Sequence, residues 1–207
     1  MDVKEYNLPD QELLEDNTST YRFMVWEPGF LCIVLGQGNR LDQSVYVERT
    51  AADNVPVYKR PSGGETVVLS PGTLVISILK RGDGLRSPRL YFNAYNEKII
   101  QALRGLGVKN LSANGISDIC IGNQKILGSS IYRNKDRVFY HGVLNRAESG
   151  DVIERYLEHP LREPDYRDGR SHKDFVTSLA QQGYQFTSEE IRRALLEAIH
   201  DASLTRR

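Results

Sequence analysis

Two segments of this sequence carry residues able to do chemistry on a phosphorylated ligand. The first is Lys59-Arg60-Pro61-Ser62-Gly63-Gly64, which reads as a strand emptying into a turn of small residues. Glycines let the backbone approach a ligand closely, and successive N–H groups in such a turn form an anion-binding nest. The second runs Asp118-Ile119-Cys120-Ile121-Gly122-Asn123-Gln124-Lys125-Ile126-Leu127-Gly128-Ser129-Ser130. Its apolar run meets a Gly122-Asn123 turn and returns through Lys125, a β-hairpin pattern. A lone lysine therefore stands just past a tight turn, ahead of small residues that can admit a ligand. A phosphate nest with one fixed cation suits the handling of a nucleotide. Taken singly, each half has a plainer meaning. Serine–glycine turns are mostly only turns, and a hairpin lysine ordinarily discourages edge-to-edge strand pairing.

The elements that must position these residues read as a mixed α+β fold, largely antiparallel. Tyr21–Trp26 and Phe30–Leu35 flank Glu27-Pro28-Gly29 as a hairpin-like pair, and Ser44 is expected to cap a short helix reaching Asp53. Val55–Lys59, Thr66–Leu69 and Thr73–Leu79 read as three more strands. Phe92, Tyr95, Ile99, Leu103 and Leu106 fall at helical spacing over 91–106, and Gly107 ends that helix. Two hairpin-like pairs follow, turning at Gly122-Asn123 and at Asn134-Lys135-Asp136. Prolines, charges and glycine crowd 157–173, the pattern of a long exposed loop or lid. Thr187 and Glu190 form a capping box ahead of a stripe at Ile191, Ala194, Leu195, Ala198 and Ile199. We expect one domain over 1–207, with 181–207 as a C-terminal helical segment.

Composition narrows the class without naming an activity. The 27 basic and 27 acidic residues of this 207-residue chain cancel, so it lacks the basic field of nucleic-acid binders. Apolar stretches such as 73–79 are strand-length, too short to span a bilayer, so no membrane partner is expected. The polar start Met1-Asp2-Val3-Lys4-Glu5 gives no signal peptide, and a cytoplasmic location is expected. Cys32 and Cys120 lie in apolar runs and read as buried, reduced thiols. His159, His172 and His200 show no metal-ligand spacing.

The ordered series of motifs resembles the lipoate–protein ligases, within the wider biotin/lipoate ligase superfamily. It runs over roughly 21–180: Val25-Trp26, Val34-Leu35-Gly36-Gln37, Arg60-Pro61-Ser62-Gly63-Gly64, Gly72, Ser117-Asp118, Lys125-Ile126-Leu127-Gly128-Ser129, Lys135-Asp136-Arg137 and His141-Gly142. The resemblance implies a biotin/lipoate ligase catalytic-domain fold and ATP-dependent activation of lipoate or octanoate as an acyl-AMP. The acyl group then goes to a lysine of a carrier protein, such as a 2-oxo-acid dehydrogenase lipoyl domain or a glycine-cleavage H protein. Both steps gather negative charge on phosphate or carbonyl oxygens, so fixed donors and cations are the main tools. On this reading Lys125 is the catalytic cation. Ser62, Gly63 and Gly64 hold phosphate or carbonyl oxygens, and Arg60 supports that loop or the acyl chain. Gly128 and Ser129 make room for adenine or ribose, and His141 with Gly142 backs the site. Asp118 is the expected Mg²⁺ ligand, since that ion commonly takes one or two carboxylates plus phosphate oxygens. Read without the resemblance, Asp118 braces the hairpin and His141 is a satisfied core residue.

Three departures from the family pattern stand out. Glu65 occupies a position where a third glycine is common, and Leu69 one where many members have histidine. The sequence ends at Arg207, where longer members continue into a C-terminal accessory domain, so that domain is expected to be absent, which leaves open a separate accessory subunit that supplies it or a chain that performs only part of the reaction. Two other functions stay open. One is an octanoyl or lipoyl transferase working through a cysteine thioester, for which Cys120 is the candidate nucleophile. The other is a non-catalytic homologue that binds the carrier, which Glu65 would favour.

Overall fold

The computed structural model describes residues 1–82 and 86–200. The expected C-terminal helical segment therefore lies partly outside the described residues. In chain order the elements are β1 (Val3–Glu5), α1 (Gln11–Glu15), β2 (Tyr21–Trp26), β3 (Cys32–Leu35), α2 (Leu41–Ser44), α3 (Val47–Ala52), β4 (Val57–Lys59), β5 (Val67–Leu69) and β6 (Thr73–Arg81). There follow α4 (Pro88–Gly105), β7 (Leu111–Asn114), β8 (Asp118–Ile121), β9 (Gln124–Arg133), β10 (Arg137–Asn145), α5 (Gly150–Tyr156), a 3₁₀ turn (Asp165–Arg167), α6 (His172–Phe175) and α7 (Ser188–His200).

The strands form two sheets. A six-stranded antiparallel sheet runs β2-β6-β10-β9-β8-β7, and a four-stranded sheet runs β1-β4-β3-β5. In the smaller sheet β4 pairs in parallel with both β1 and β3, while β3 and β5 are antiparallel. Alternation along β6 shows how the sequence builds the layers. Leu74, Ile76 and Ile78 face α4 and α7, where they meet Tyr95, Ile99, Leu103, Ile191 and Leu195. Val75 points the other way and packs with Trp26, Val34, Tyr58 and Leu69 against the small sheet. A third cluster, with Ile33, Leu35, Val57 and Val68, joins the outer face of the small sheet to Val45, Tyr156 and Leu157. Each fully buried aliphatic side chain in these clusters contributes roughly 1.5–3 kcal/mol.

Several expectations are corrected. β2 and β3 are not a hairpin: β2 edges the large sheet and β3 lies inside the small one. All four residues of β3 are buried, so both of its faces need cover, and the 27–31 connection crosses between sheets to provide it. Ser44 closes α2 instead of capping the next helix, which begins after Tyr46. The 157–173 segment is not simply exposed. Leu157 and Arg167 are buried, and the segment carries the 3₁₀ turn and the start of α6. Leu111–Asn114 adds a strand that the periodicity alone did not disclose. The Thr187–Glu190 capping box forms as read: Thr187 N–H donates to Glu190 Oε2 at 2.8 Å and Glu190 N–H to Thr187 Oγ1 at 3.2 Å. Helix α4 ends as expected, with Gly107 N–H on the Arg104 carbonyl and Val108 N–H on that of Leu103, a Schellman pattern.

Candidate functional site

The gap between the sheets holds a two-lobed hollow. The larger lobe, ≈ 370 Å³, is walled by Tyr6, Val34, Leu69, Val75 and Val143, with Arg60, Gly64, Asp118, Ser129, Ser130 and His141 among its polar lining. The second, ≈ 150 Å³, is walled by Val68, Leu127, Ile153, Leu157, Phe175 and Val176, with Asn145, Arg162, Arg167 and His172 beside them. Lys125 and Gly128 line both lobes.

A β-bulge puts Lys125 at that junction. Ile119 stands opposite Leu127, but its neighbour Cys120 stands opposite Lys125, so Ile126 has no opposite number. A bulge adds one residue to a strand and re-aims the side chains beyond it. Strict alternation would send Lys125 to the helix side with Leu127. The bulge instead lays it across Gly128 on the inter-sheet side. A Cβ at position 128 would come within 2.6 Å of Lys125 Cε and Nζ. Gly128 therefore makes room for the lysine itself, where the sequence suggested room for adenine or ribose.

Lys125 Nζ pairs with Asp118 Oδ1 at 2.9 Å, and the lysine side chain remains 27% exposed against 9% for the aspartate. The other carboxylate oxygen accepts from Tyr166 Oη at 2.7 Å. Tyr166 comes from the 157–173 segment and packs on the ring of Phe175, 5.2 Å between centroids. The segment covers the junction and is stitched down at both ends. Leu157 bridges Val45, and Val176 bridges Lys125, whose carbonyl accepts from Thr177 N–H at 2.9 Å.

The Ser62-Gly63-Gly64 turn folds around Arg60. The guanidinium donates from Nε to Ser62 Oγ (3.0 Å) and Gly63 O (3.2 Å), from Nη1 to Val34 O (3.1 Å), and from Nη2 to Gly63 O (2.7 Å) and Glu65 O (2.8 Å). Its donors are thus spent on the protein, and burial pulls its pKa down to about 10. Arg60 shapes the turn; it is not a cation held free for a ligand. Gly64 takes φ 81°, and a Cβ on Gly36 would sit 1.9 Å from the Gly64 carbonyl oxygen. Only glycine at position 36 permits that backbone contact. Ser130 Oγ, on β9, donates to Gly63 O at 2.7 Å and ties the turn to the large sheet. Glu65 lines both lobes and is held by Asn39, whose Nδ2 donates to Glu65 Oε2 at 3.3 Å.

Of the residues singled out in the sequence, Lys125, Arg60, Gly64, Asp118, Gly128, Ser129 and His141 line the hollow. Ser62 is buried behind the wall. Gly63 is not among the lining residues. Gly142 also lies off the hollow, with space for its absent Cβ taken up 3.0 Å away by Tyr140 Oη. Leu69 is buried in the inter-sheet cluster. Sequence reasoning gave no role to Tyr6, Asp10, Tyr166 or Phe175, and took Ser130 only as one of the small residues that can admit a ligand. Both cysteines are free and buried, and burial pushes the Cys32 thiol up to about 12. Neither lines the hollow. Among the described residues no group of three or more His, Cys, Asp or Glu could hold a metal. No described helix is long and apolar enough to cross a membrane.

Comparison with known proteins matches residues 5–200 to the lipoyl protein ligase A/B catalytic domain. The chain is 32% identical over 152 residues to lipoate–protein ligase 1 of Staphylococcus aureus (strain Mu50 / ATCC 700699), covering 73% of this chain and 43% of that protein. It is 26% identical over 172 residues to lipoate-protein ligase LplJ of Bacillus subtilis (strain 168), covering 83% and 51% respectively. The chain spans about half the length of these curated relatives. Its fold is shared with a crystal structure of lipoate-protein ligase A bound with ATP, at TM-score 0.78 and 18% identity over 97% of this chain and 85% of that one. It is shared equally with a bipartite lipoate protein ligase from Thermoplasma acidophilum, described with its E2 lipoyl domain, at TM-score 0.79 and 18% identity over 97% and 83%.

Proposed function

Because this chain belongs to the lipoyl protein ligase A/B catalytic-domain family, we propose that it activates lipoate or octanoate with ATP and passes the acyl group to a lysine of a carrier protein. The observation that carries this reading is the placement of Lys125. A bulge aims one cation at the seam where two differently lined lobes meet. The larger lobe, walled by Tyr6, Val34, Leu69 and Val75, takes the acyl chain. The lobe carrying Arg167 and His172 takes the nucleotide, with Arg162 shared between the two lobes. Carboxylate and α-phosphate then meet beside Lys125.

In the first step a carboxylate oxygen attacks the α-phosphorus, the bond to the β-phosphate oxygen breaks, and pyrophosphate leaves. In the second the acceptor amine attacks the acyl carbon, the bond to the AMP oxygen breaks, and the amine gives up a proton. Charge builds on non-bridging phosphate oxygens and then on the acyl oxygen, both within reach of a cation at the seam. A preplaced donor of this kind stabilises both transition states with little reorganisation. Asp118 holds the amine until substrate oxygens compete for it. Asp118, whose Oδ1 holds Lys125 and whose Oδ2 accepts from Tyr166, would be the carboxylate to hold Mg²⁺ once the amine moves to substrate, since that ion commonly takes one or two carboxylates. Such an ion would neutralise phosphate charge.

The acceptors we propose are lipoyl domains and similar small carriers, in keeping with the bipartite ligase whose fold this chain shares. We read 1–207 as one catalytic unit working in the cytoplasm. A thioester route through cysteine finds no support in two buried thiols that do not line the hollow, the Cys120 thiol being held behind Tyr166 Oη at 3.5 Å. The test is mass spectrometry of a lipoyl domain incubated with this chain, ATP, Mg²⁺ and lipoate, beside an assay of pyrophosphate release. Acyl transfer from ATP and free acid is expected. Transfer only from supplied lipoyl-AMP would assign activation to a second polypeptide, and no transfer from either source would sink the ligase reading.

A further inference from the structure

We infer that Asp10 is a positioning residue for the substrate-binding turn, acting through His141 on Ser62. The inference rests on the ligase reading only for what the turn binds; the relay itself is a matter of geometry.

Asp10 is 0% exposed. Its Oδ1 accepts from Tyr6 Oη at 2.6 Å and its Oδ2 from Ser77 Oγ at 2.7 Å. His141 Nδ1 lies 3.8 Å from Oδ2, an ion-pair distance. On the far side of the ring, His141 Nε2 is 2.5 Å from Ser62 Oγ. Ser77 and His141 are direct cross-strand partners, as are His141 and Ser130. A row of three polar side chains thus crosses the middle of an apolar sheet, facing the turn. Burying such a row is costly unless every member is satisfied.

Charge fixes the direction of the relay. An imidazole lone pair pointed at a carboxylate is repelled, so Asp10 selects the tautomer with hydrogen on Nδ1. Which nitrogen is protonated is set by the partner of the other. Nε2 is then an acceptor, and Ser62 must donate to it. With its hydrogen committed, Ser62 Oγ turns a lone pair to Arg60 Nε at 3.0 Å. Arg60 in turn holds Gly63 O and Glu65 O. The conformation of the turn follows from the charge on Asp10. Burial, the largest influence on His141, lowers its pKa and keeps the ring neutral at pH 7. Burial alone would raise the pKa of Asp10, but the bonds it accepts outweigh that and keep it a carboxylate.

The same three residue types can make a nucleophilic serine. Here Ser62 is 1% exposed and its oxygen is engaged by Arg60. The hydroxyl is a strut.

The test is ¹⁵N NMR of the His141 imidazole in the intact protein at pH 7.5, together with steady-state kinetics of Asp10→Asn. Wild type should show hydrogen on Nδ1 and a bare Nε2. In Asp10→Asn the side-chain amide can donate to Nδ1, and the ring should shift toward hydrogen on Nε2. KM for the acid should rise about tenfold with kcat little changed, the pattern of lost uniform binding. Hydrogen on Nε2 in wild type overturns the inference whether or not the variant folds. So does a folded Asp10→Asn with wild-type KM. If wild type shows the expected tautomer yet makes no acyl-AMP or acyl-carrier, the relay stands and the ligase reading falls.

Discussion

The two ends of the larger lobe are held in opposite ways. At one end Lys125 makes a single ion pair, remains partly exposed, and has its partner Asp118 shared with Tyr166. At the other, Arg60, Ser62, His141 and Asp10 are all at least nine-tenths buried and joined in one chain of polar contacts. A partly exposed pair is worth about 0–1 kcal/mol and exchanges readily. A buried network must stay whole, because each orphaned group costs about 1–3 kcal/mol. The end proposed to be reactive is thus built from interactions that a substrate can replace, and the end proposed to recognise it from interactions that must persist.

Removing Lys125 should separate the two ends most sharply. Lys125→Ala is expected to lower acyl transfer about a thousandfold, the cost of a transition-state donor, with unfolding free energy changed by under about 1 kcal/mol. Acceptor mass spectrometry and a urea titration on the same preparation read both quantities. Wild-type turnover would remove Lys125 from its role. Arg60→Ala should behave in reverse, losing about 3 kcal/mol of stability in urea because carbonyls of the turn are left without donors. The loss is bounded by the burial cost that the guanidinium itself carries, seen in its lowered pKa. A stable Arg60→Ala protein with impaired binding alone would make both ends functional and neither structural.

A gentler change at the seam sharpens the contrast. Gly128→Ala should push the Lys125 amine aside and cut transfer about tenfold while leaving the melting temperature nearly unchanged, since the clash is with a flexible side-chain end. Cys120→Ser and Cys32→Ser, made separately, should keep ATP-dependent transfer. Loss of transfer in a folded Cys120→Ser protein, with a thioester trapped on wild type, would reinstate the cysteine route.

What the sequence disclosed follows the same division. The Gly122-Asn123 hairpin, the α7 stripe with its capping box and the Schellman end of α4 are local, and short-range pattern contains them. Lys125 was visible for the same reason. The bulge that aims it was not, because it depends on which residues of β8 lie opposite those of β9. The 21–35 pair misled because two strands joined by a Pro-Gly turn look alike whether they share a sheet or leave one for another. Asp10 carries no signal in the sequence that sets it apart from the other polar residues before Tyr21. Only the approach of β6 and β10 makes it a buried carboxylate with three polar neighbours.

The 157–176 segment has one more consequence. It is tied to Val45, on the small-sheet side, and to Lys125, on the large sheet. It is therefore a strap across the seam, with Leu161 78% exposed beside an exposed Arg162. A protease that accepts arginine meets its target there, at an exposed tip of the kind nicked first. A single cut would leave the chain's core clusters in place yet turn the strap into two loose ends, one still bonded to the backbone of Lys125. Ligand that draws the sheets together should slow that cut, so the rate of nicking at Arg162 reports how firmly the seam is closed.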